Sequence, residues 1–227
     1  ILDLFSKNNC NAIACVRKNN SEFEEYCKKL QKINNNIIKI YEFDLKNKDD
    51  LKINLKKILN ENKDIDILIN NAGSISTNIF QFTTEKNFKD LFQVNFFSIV
   101  TITQMITKPM IRKKKGSIVN ISSISADDGN EARSAYSASK SAIQSLTKVI
   151  SRELGKFNIR ANCIAPGLVE TKMLSENTKP EIIEEIKNKI SLARLGKSDE
   201  VANVALFLAS NLSSYINGQT IRVDGGM

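Results

Sequence analysis

The 227-residue chain has no histidine and no tryptophan, and only three prolines, nine glycines and four cysteines. Without histidine there is no Ser–His–Asp relay and no imidazole to ligate a metal, so any acid–base chemistry must come from other side chains. Cys10, Cys15, Cys27 and Cys163 have neither zinc-site nor redox-pair spacing, and no metal is expected. Cys15 and Cys163 fall in apolar, strand-like runs, and the cysteines read as reduced core thiols of a cytoplasmic protein. No apolar run is long enough to span a bilayer, and no charged-then-apolar leader opens the chain. No Pro-, Gly- or Ser-rich linker divides it, so residues 1–227 read as one domain of adequate size for a buried core.

What is plentiful is lysine. Lys and Arg number 33 against 25 Asp and Glu, a net charge of +8, which raises nucleic acid or an acidic carrier protein as a partner. The basic residues are spread along the chain, however, and lysine greatly outnumbers arginine. Nucleic acid is therefore not expected. Only Arg112–Lys115 is clustered, just before a strand-like run, where a solvated turn is the plain reading.

The hydrophobic pattern alternates between two periods. Strands are expected at 12–16, 37–43, 65–69, 117–121, 159–164 and 220–223, with helices at 22–33, 49–62, 84–108, 135–156 and 199–210. Such alternation implies a parallel sheet with helices on both faces. The stretch Phe88 to Ile106 is apolar nearly all round, so it must be covered on more than one side, by its own sheet or by a partner subunit. Ile1–Phe5 reads as the second half of a helix.

The chemistry-bearing residues gather at strand ends. Tyr136 and Lys140, four apart in a helix, lie one turn above each other on one face. A phenol with pKa about 10 is a poor acid or base at neutral pH, and a neighbouring ammonium favours its phenolate. Ser122 and Ser123 follow one expected strand, Asn70–Gly73 a second, and Pro166–Gly167 a third. Three strands ending in small or polar residues make one crevice at the carboxyl edge of a doubly wound sheet.

Those segments, with Val94–Asn95, Ile164–Thr171, Ala193–Gly196 and Val223–Met227, resemble the short-chain dehydrogenase/reductase family over essentially the whole chain. Within it the likeness is nearest to 3-oxoacyl-[acyl-carrier-protein] reductases. The resemblance implies an α/β doubly wound parallel sheet, a single Rossmann domain, and packing of the Tyr136 helix against partner copies in a homo-oligomer. It also implies a first strand and glycine-rich turn, absent from these 227 residues, so that on the order of 20 residues precede Ile1.

By the same resemblance, Ser123 donates to the substrate carbonyl oxygen, Tyr136 protonates it, and Lys140 lowers the phenol pKa and binds the nicotinamide ribose. Locally Ser122 has an equal claim, and the family spacing to Tyr136 selects Ser123. Asn95 completes a tetrad in a distorted helix. Asn71, Ala72 and Gly73 run beside the adenine ribose, and Asp44 and Leu45 meet the adenine. Pro166, Gly167, Val169 and Thr171 line the nicotinamide, a helix cap being a fair rival role for Thr171. Arg17 closes a strand that ends in an acid when the cofactor is NAD. A guanidinium there favours a 2′-phosphate, hence NADP as NADPH.

The expected reaction is reduction of a 3-oxoacyl thioester on acyl carrier protein. A sugar or other small alcohol is the alternative substrate class, and a catalytically silent member the third reading. Two departures bear on the substrate. Phe157 stands where carrier-specific relatives commonly have a basic residue, and Asp127, Asp128 and Glu131 are expected to border the substrate mouth and repel an acidic carrier.

Overall fold

The computed structural model describes residues 1–171, 174 and 180–227. In chain order, α1 (Leu2–Lys7), β1 (Ala12–Val16), α2 (Ser21–Asn34), β2 (Ile38–Glu42), α3 (Lys48–Glu61) and β3 (Ile67–Asn70) form the first half. Then come α4 (Glu85–Phe92), a π turn (Gln93–Phe97), α5 (Ser98–Lys113), β4 (Gly116–Ile121), α6 (Ser125–Asp128) and α7 (Ser134–Gly155). The remainder is β5 (Ile159–Pro166), α8 (Pro180–Lys187), α9 (Ser198–Ala209) and β6 (Thr220–Val223).

Local chemistry sets several boundaries. The Asn20 side chain accepts from the Phe23 amide at the start of α2, and Asn35 ends that helix in the left-handed region at φ 49°. Thr84 and Asn87 make a reciprocal capping box ahead of α4. The single helix expected over 84–108 is two helices separated by the π turn. An inserted residue shifts the phase of the hydrophobic pattern, but in a stretch that is apolar nearly all round the shift does not show.

All strand pairs are parallel. The expected single sheet is in two parts, β1–β2 and β3–β4–β5–β6, with no described strand joining β1 to β3. Within the larger part the alternation of side chains shows why both faces carry helices. Ile118 packs with Leu51, Leu55, Ile106 and Met110 of α3 and α5, whereas its neighbour Val119 packs with Phe5, Val201, Ala205 and Leu208 of α1 and α9. A sheet buried on both sides places its only open functional edge where the strands end. This is the doubly wound α/β architecture.

The core-thiol expectation holds for Cys27 and Cys163, which are buried, but not for Cys15, which is exposed, nor for Cys10, which is partly covered. Ala12 and Ala14 share one covered face with α2, and Cys15 lies on the other face near the end of a strand in the smaller sheet.

Candidate functional site

The carboxyl ends of β3, β4 and β5 bring together Asn71–Gly73, Ser122–Ser123 and Pro166–Gly167, and α7 lays Tyr136 and Lys140 beside them. Lys140 is only 4% exposed, and its Nζ donates to the Ile121 carbonyl at 2.7 Å. Burial pulls its pKa down to about 8. Its Nζ lies 5.9 Å from the centroid of the Tyr136 ring.

Burial pushes the Tyr136 phenol above its ordinary pKa, while a hydrogen bond with Ser123 and the Arg133 charge oppose that rise. The expected depression by Lys140 is therefore not what the electrostatics give. Desolvation of the phenol outweighs the Ser123 hydrogen bond and the Arg133 charge.

The two serines separate on geometry. Ser122 Oγ donates to the Lys140 carbonyl at 3.0 Å, which fastens β4 to α7. Ser123 Oγ accepts from the Ser125 amide at 3.2 Å and keeps its proton for another acceptor. Sequence gave Ser122 an equal local claim, and the structure gives it a structural duty.

Asn95 is fully buried inside the π turn. Its Oδ1 accepts from the Ser74 amide at 2.8 Å, and its Nδ2 donates to the Ser74 carbonyl at 2.9 Å and to Ser139 Oγ at 3.0 Å. Ser139 Oγ in turn donates to the Tyr136 carbonyl at 2.8 Å. The helix distortion implied at Asn95 is present, and Asn95 links the loop after β3 to α7. Ser74 and Ser139, which complete that link, carried no signal in the sequence beyond their neighbours. A buried polar ladder lies behind it: Asn70 donates to Asn120 and Asn120 to Thr147 of α7, both at 2.8 Å.

The expected cofactor residues lie at or beyond the carboxyl ends of β1, β2, β3 and β5. Asn71, Ala72 and Gly73 are exposed at the end of β3, and a Cβ on Gly73 would come within 3.3 Å of Lys140 Nζ. A Cβ on Gly167 would come within 2.8 Å of the Asp224 backbone, so this turn admits only glycine without rearrangement. The Asp44 carboxylate accepts from the Lys46 amide at 2.9 Å, and the Leu45 carbonyl accepts from Gln93 at 3.1 Å. Val169 bridges Gly196, and Thr171 Oγ1 accepts from the Leu174 amide at 3.3 Å, as a helix cap does. Arg17 is exposed directly after β1 and makes no ion pair among the described residues.

Two of the three carboxylates expected to border the mouth are already paired. Arg222 grips Asp128 with two hydrogen bonds of 2.8 and 3.0 Å, which hold that carboxyl below its usual pKa. Gln144 donates to Asp127 at 3.1 Å, so of the three carboxylates only Glu131 is without such a partner among the described residues. The basic cluster lies beyond the amino end of β4, about 20 Å of strand away from Ser122. There Lys113 pairs with Asp64 at 3.1 Å and Asp66 at 3.3 Å. Within one protomer it is not at the site entrance.

A separate cleft of about 560 Å³ includes Ser191, Leu192, Arg194, Glu200, Arg222 and Asp224 in its lining. Arg194 pairs with Glu200, and Arg222 with Asp128 and Asp224, so its charges are already matched.

With this geometry in place, the similarities to known proteins are decisive for the family. A family model described as enoyl-(acyl carrier protein) reductase matches residues 3–227. The chain belongs to the short-chain dehydrogenase/reductase family. It is 40% identical over 187 residues to the 3-oxoacyl-[acyl-carrier-protein] reductase FabG of Chlamydia muridarum, covering 81% of this chain and 74% of that one. It is 38% identical over 187 residues to the protein of the same name from Thermotoga maritima, covering 82% and 76%. Among solved structures, YwfH, an NADPH-dependent reductase involved in bacilysin biosynthesis, superposes with a TM-score of 0.92 at 23% identity. That likeness covers 99% of this short-chain dehydrogenase/reductase and 91% of YwfH, and establishes the fold.

No helix among the described residues is long and apolar enough to cross a membrane.

Proposed function

We propose that this chain is an NADPH-dependent carbonyl reductase that converts a 3-oxoacyl thioester, carried on acyl carrier protein, to the 3-hydroxyacyl form. The observation that carries the reading is the convergence of Ser123, Tyr136 and Lys140 at one strand end, with Ser122 committed elsewhere. The names of the curated relatives at 38–40% identity support the substrate class.

The absent side chain of Gly73 leaves bare backbone beside Lys140, at the exposed Asn71–Gly73 turn, a cradle that fits an extended dinucleotide. Arg17, Asp44, Leu45, Asn71, Ala72, Gly73, Pro166, Gly167, Val169 and Thr171 would hold it, with Tyr136 and Lys140 at its nicotinamide end. When bound, the nicotinamide supplies hydride to the carbonyl carbon. Ser123 donates a hydrogen bond to the carbonyl oxygen and stabilises the developing alkoxide. Tyr136 gives its phenolic proton to that oxygen, which completes the alcohol. Lys140, whose pKa burial draws down to about 8, returns a proton to the phenolate side of the site. Asn95 positions α7 through Ser139.

Phe97 and Val149 are each 49% exposed on the π turn and α7. Their cover in this reading is a second copy of the chain, and the working unit is a homo-oligomer.

The test is a substrate panel with NADPH and NADH in parallel. A 3-oxoacyl thioester is reduced in preference to a 2-enoyl thioester and to polyhydroxylated ketones, with NADPH the better donor. Reduction of the sugar-like compounds alone points to the small-alcohol alternative. Reduction of the enoyl compound alone points to the activity in the family model's description.

A further inference from the structure

Three of the six buried side-chain polar atoms without a hydrogen-bond partner among the described residues lie in the first turn of α7 or beside it: Arg133 Nη1, Ser134 Oγ and Ser137 Oγ. A buried donor with no acceptor carries its full desolvation penalty, so such groups mark places that expect a ligand or water. Arg133 is the most demanding of the three, because burial also draws its guanidinium below its ordinary pKa. It immediately precedes α7 with non-helical backbone (φ −122°, ψ 19°), three residues ahead of Tyr136 and close enough for its charge to act on the phenol.

The acids nearby do not answer it. Asp128 is held by Arg222 and Asp127 by Gln144, while Glu131 is exposed. The backbone that delivers Arg133 is fixed. Ala132 sits in the left-handed region at φ 57°, its carbonyl accepts from the Asn78 amide at 3.0 Å, and Asn130 accepts from Ser125. A non-glycine residue held at positive φ beside a site is a preorganising feature.

We propose that Arg133 is a specificity-determining residue. Its Nη1 donates to the thioester carbonyl oxygen of a 3-oxoacyl substrate while Tyr136 addresses the 3-oxo oxygen, which selects 1,3-dicarbonyl substrates over isolated ketones. This rests on the reductase reading above and names the residue that reads the second oxygen. A cation just ahead of α7 and a phenol in its first turn answer the two carbonyl oxygens of such a substrate, whose carbons flank a single CH2. A substrate lacking the second oxygen leaves the buried N–H unpaired, and sites built this way discriminate strongly.

The experiment compares kcat/KM for a short carrier-free 3-oxoacyl thioester with that for a monoketone of equal chain length. Wild type, Arg133→Met and Arg133→Lys are measured, with NADPH affinity as the control on folding. Arg133→Met is expected to lower the thioester-to-monoketone ratio roughly ten- to hundredfold, the worth of one hydrogen bond to a charged group, and Arg133→Lys to restore part of it. An unchanged ratio in Arg133→Met overturns the assignment even when the overall rate falls, because a structural role lowers both substrates together. A wild-type enzyme that reduces the monoketone and not the thioester overturns the thioester reading itself, a failure seen without any variant.

Discussion

Lys113 and Lys140 stand near opposite ends of the same strand, and they solve the problem of a positive charge in opposite ways. Lys113 is exposed before β4 and held between Asp64 and Asp66, whose hydrogen bonds raise its pKa. Lys140 is buried beyond the other end with one backbone carbonyl for company, and burial brings its pKa down to about 8. Arg17 is a third case, exposed and unpaired among the described residues. A paired surface cation is inert, whereas a buried one with a loosened proton is available for chemistry.

The comparison breaks most decisively at Tyr136, the phenol beside the buried lysine. Tyr136→Phe keeps the ring and removes the proton donor, so turnover should drop by on the order of a thousandfold with NADPH affinity little changed. Near-wild-type reduction of a confirmed substrate by this variant would sink the mechanism.

Lys140→Met tests burial directly. The folded-state pKa of Lys140 lies below its unfolded value, so below about pH 8 the fold carries a buried charge that the unfolded chain holds in water. That burden is relieved as pH rises from about 8 toward the unfolded value. Wild type should therefore gain stability relative to Lys140→Met across this window, by on the order of 3 kcal/mol in all. Denaturant titrations at pH 7.5 and 10 read the difference, and a gap that stays constant contradicts the buried-charge assignment. Turnover should be lost in the variant at either pH.

Arg17→Ala sharpens the contrast for the unpaired cation. If it meets a 2′-phosphate, NADPH binding weakens by about 1.5–3 kcal/mol and NADH binding is nearly untouched. Equal losses for both cofactors assign Arg17 a structural role instead. The smallest effect belongs to Lys113→Gln combined with Lys114→Gln. At the far end of β4 these changes should leave kcat/KM for a carrier-free thioester within error, and a marked loss would show the two ends to be coupled.

Much of this was legible before the structure. The helix expected over 135–156 is Ser134–Gly155, and the strands at 12–16 and 220–223 are found without change, because their periodicity is strong and local. Contacts between distant residues were not legible. The capture of Asp128 by Arg222 joins residues 94 apart, and no pattern in either segment announces it. Cys15 looked like a core thiol because alternation tells which residues share a face and not whether that face is covered. The residues by themselves left Ser122 and Ser123 equal and the family spacing to Tyr136 chose Ser123, while the physical reason appears only in which hydroxyl already has an acceptor.

The π turn at Gln93–Phe97 has one further consequence, for insertions and deletions. A helix advances about 100° per residue, so the extra residue in a π turn rotates everything downstream by that amount. Ile99, Thr103, Ile106 and Met110 face inward from α5 in that rotated setting, while Leu91 does so from α4. Removing a single residue between 93 and 97 would restore an ordinary helix and turn the inward stripe of α5 away from β4 by more than a quarter of a revolution. The length of this stretch is thus a phase setting, one residue away from unseating the whole helix.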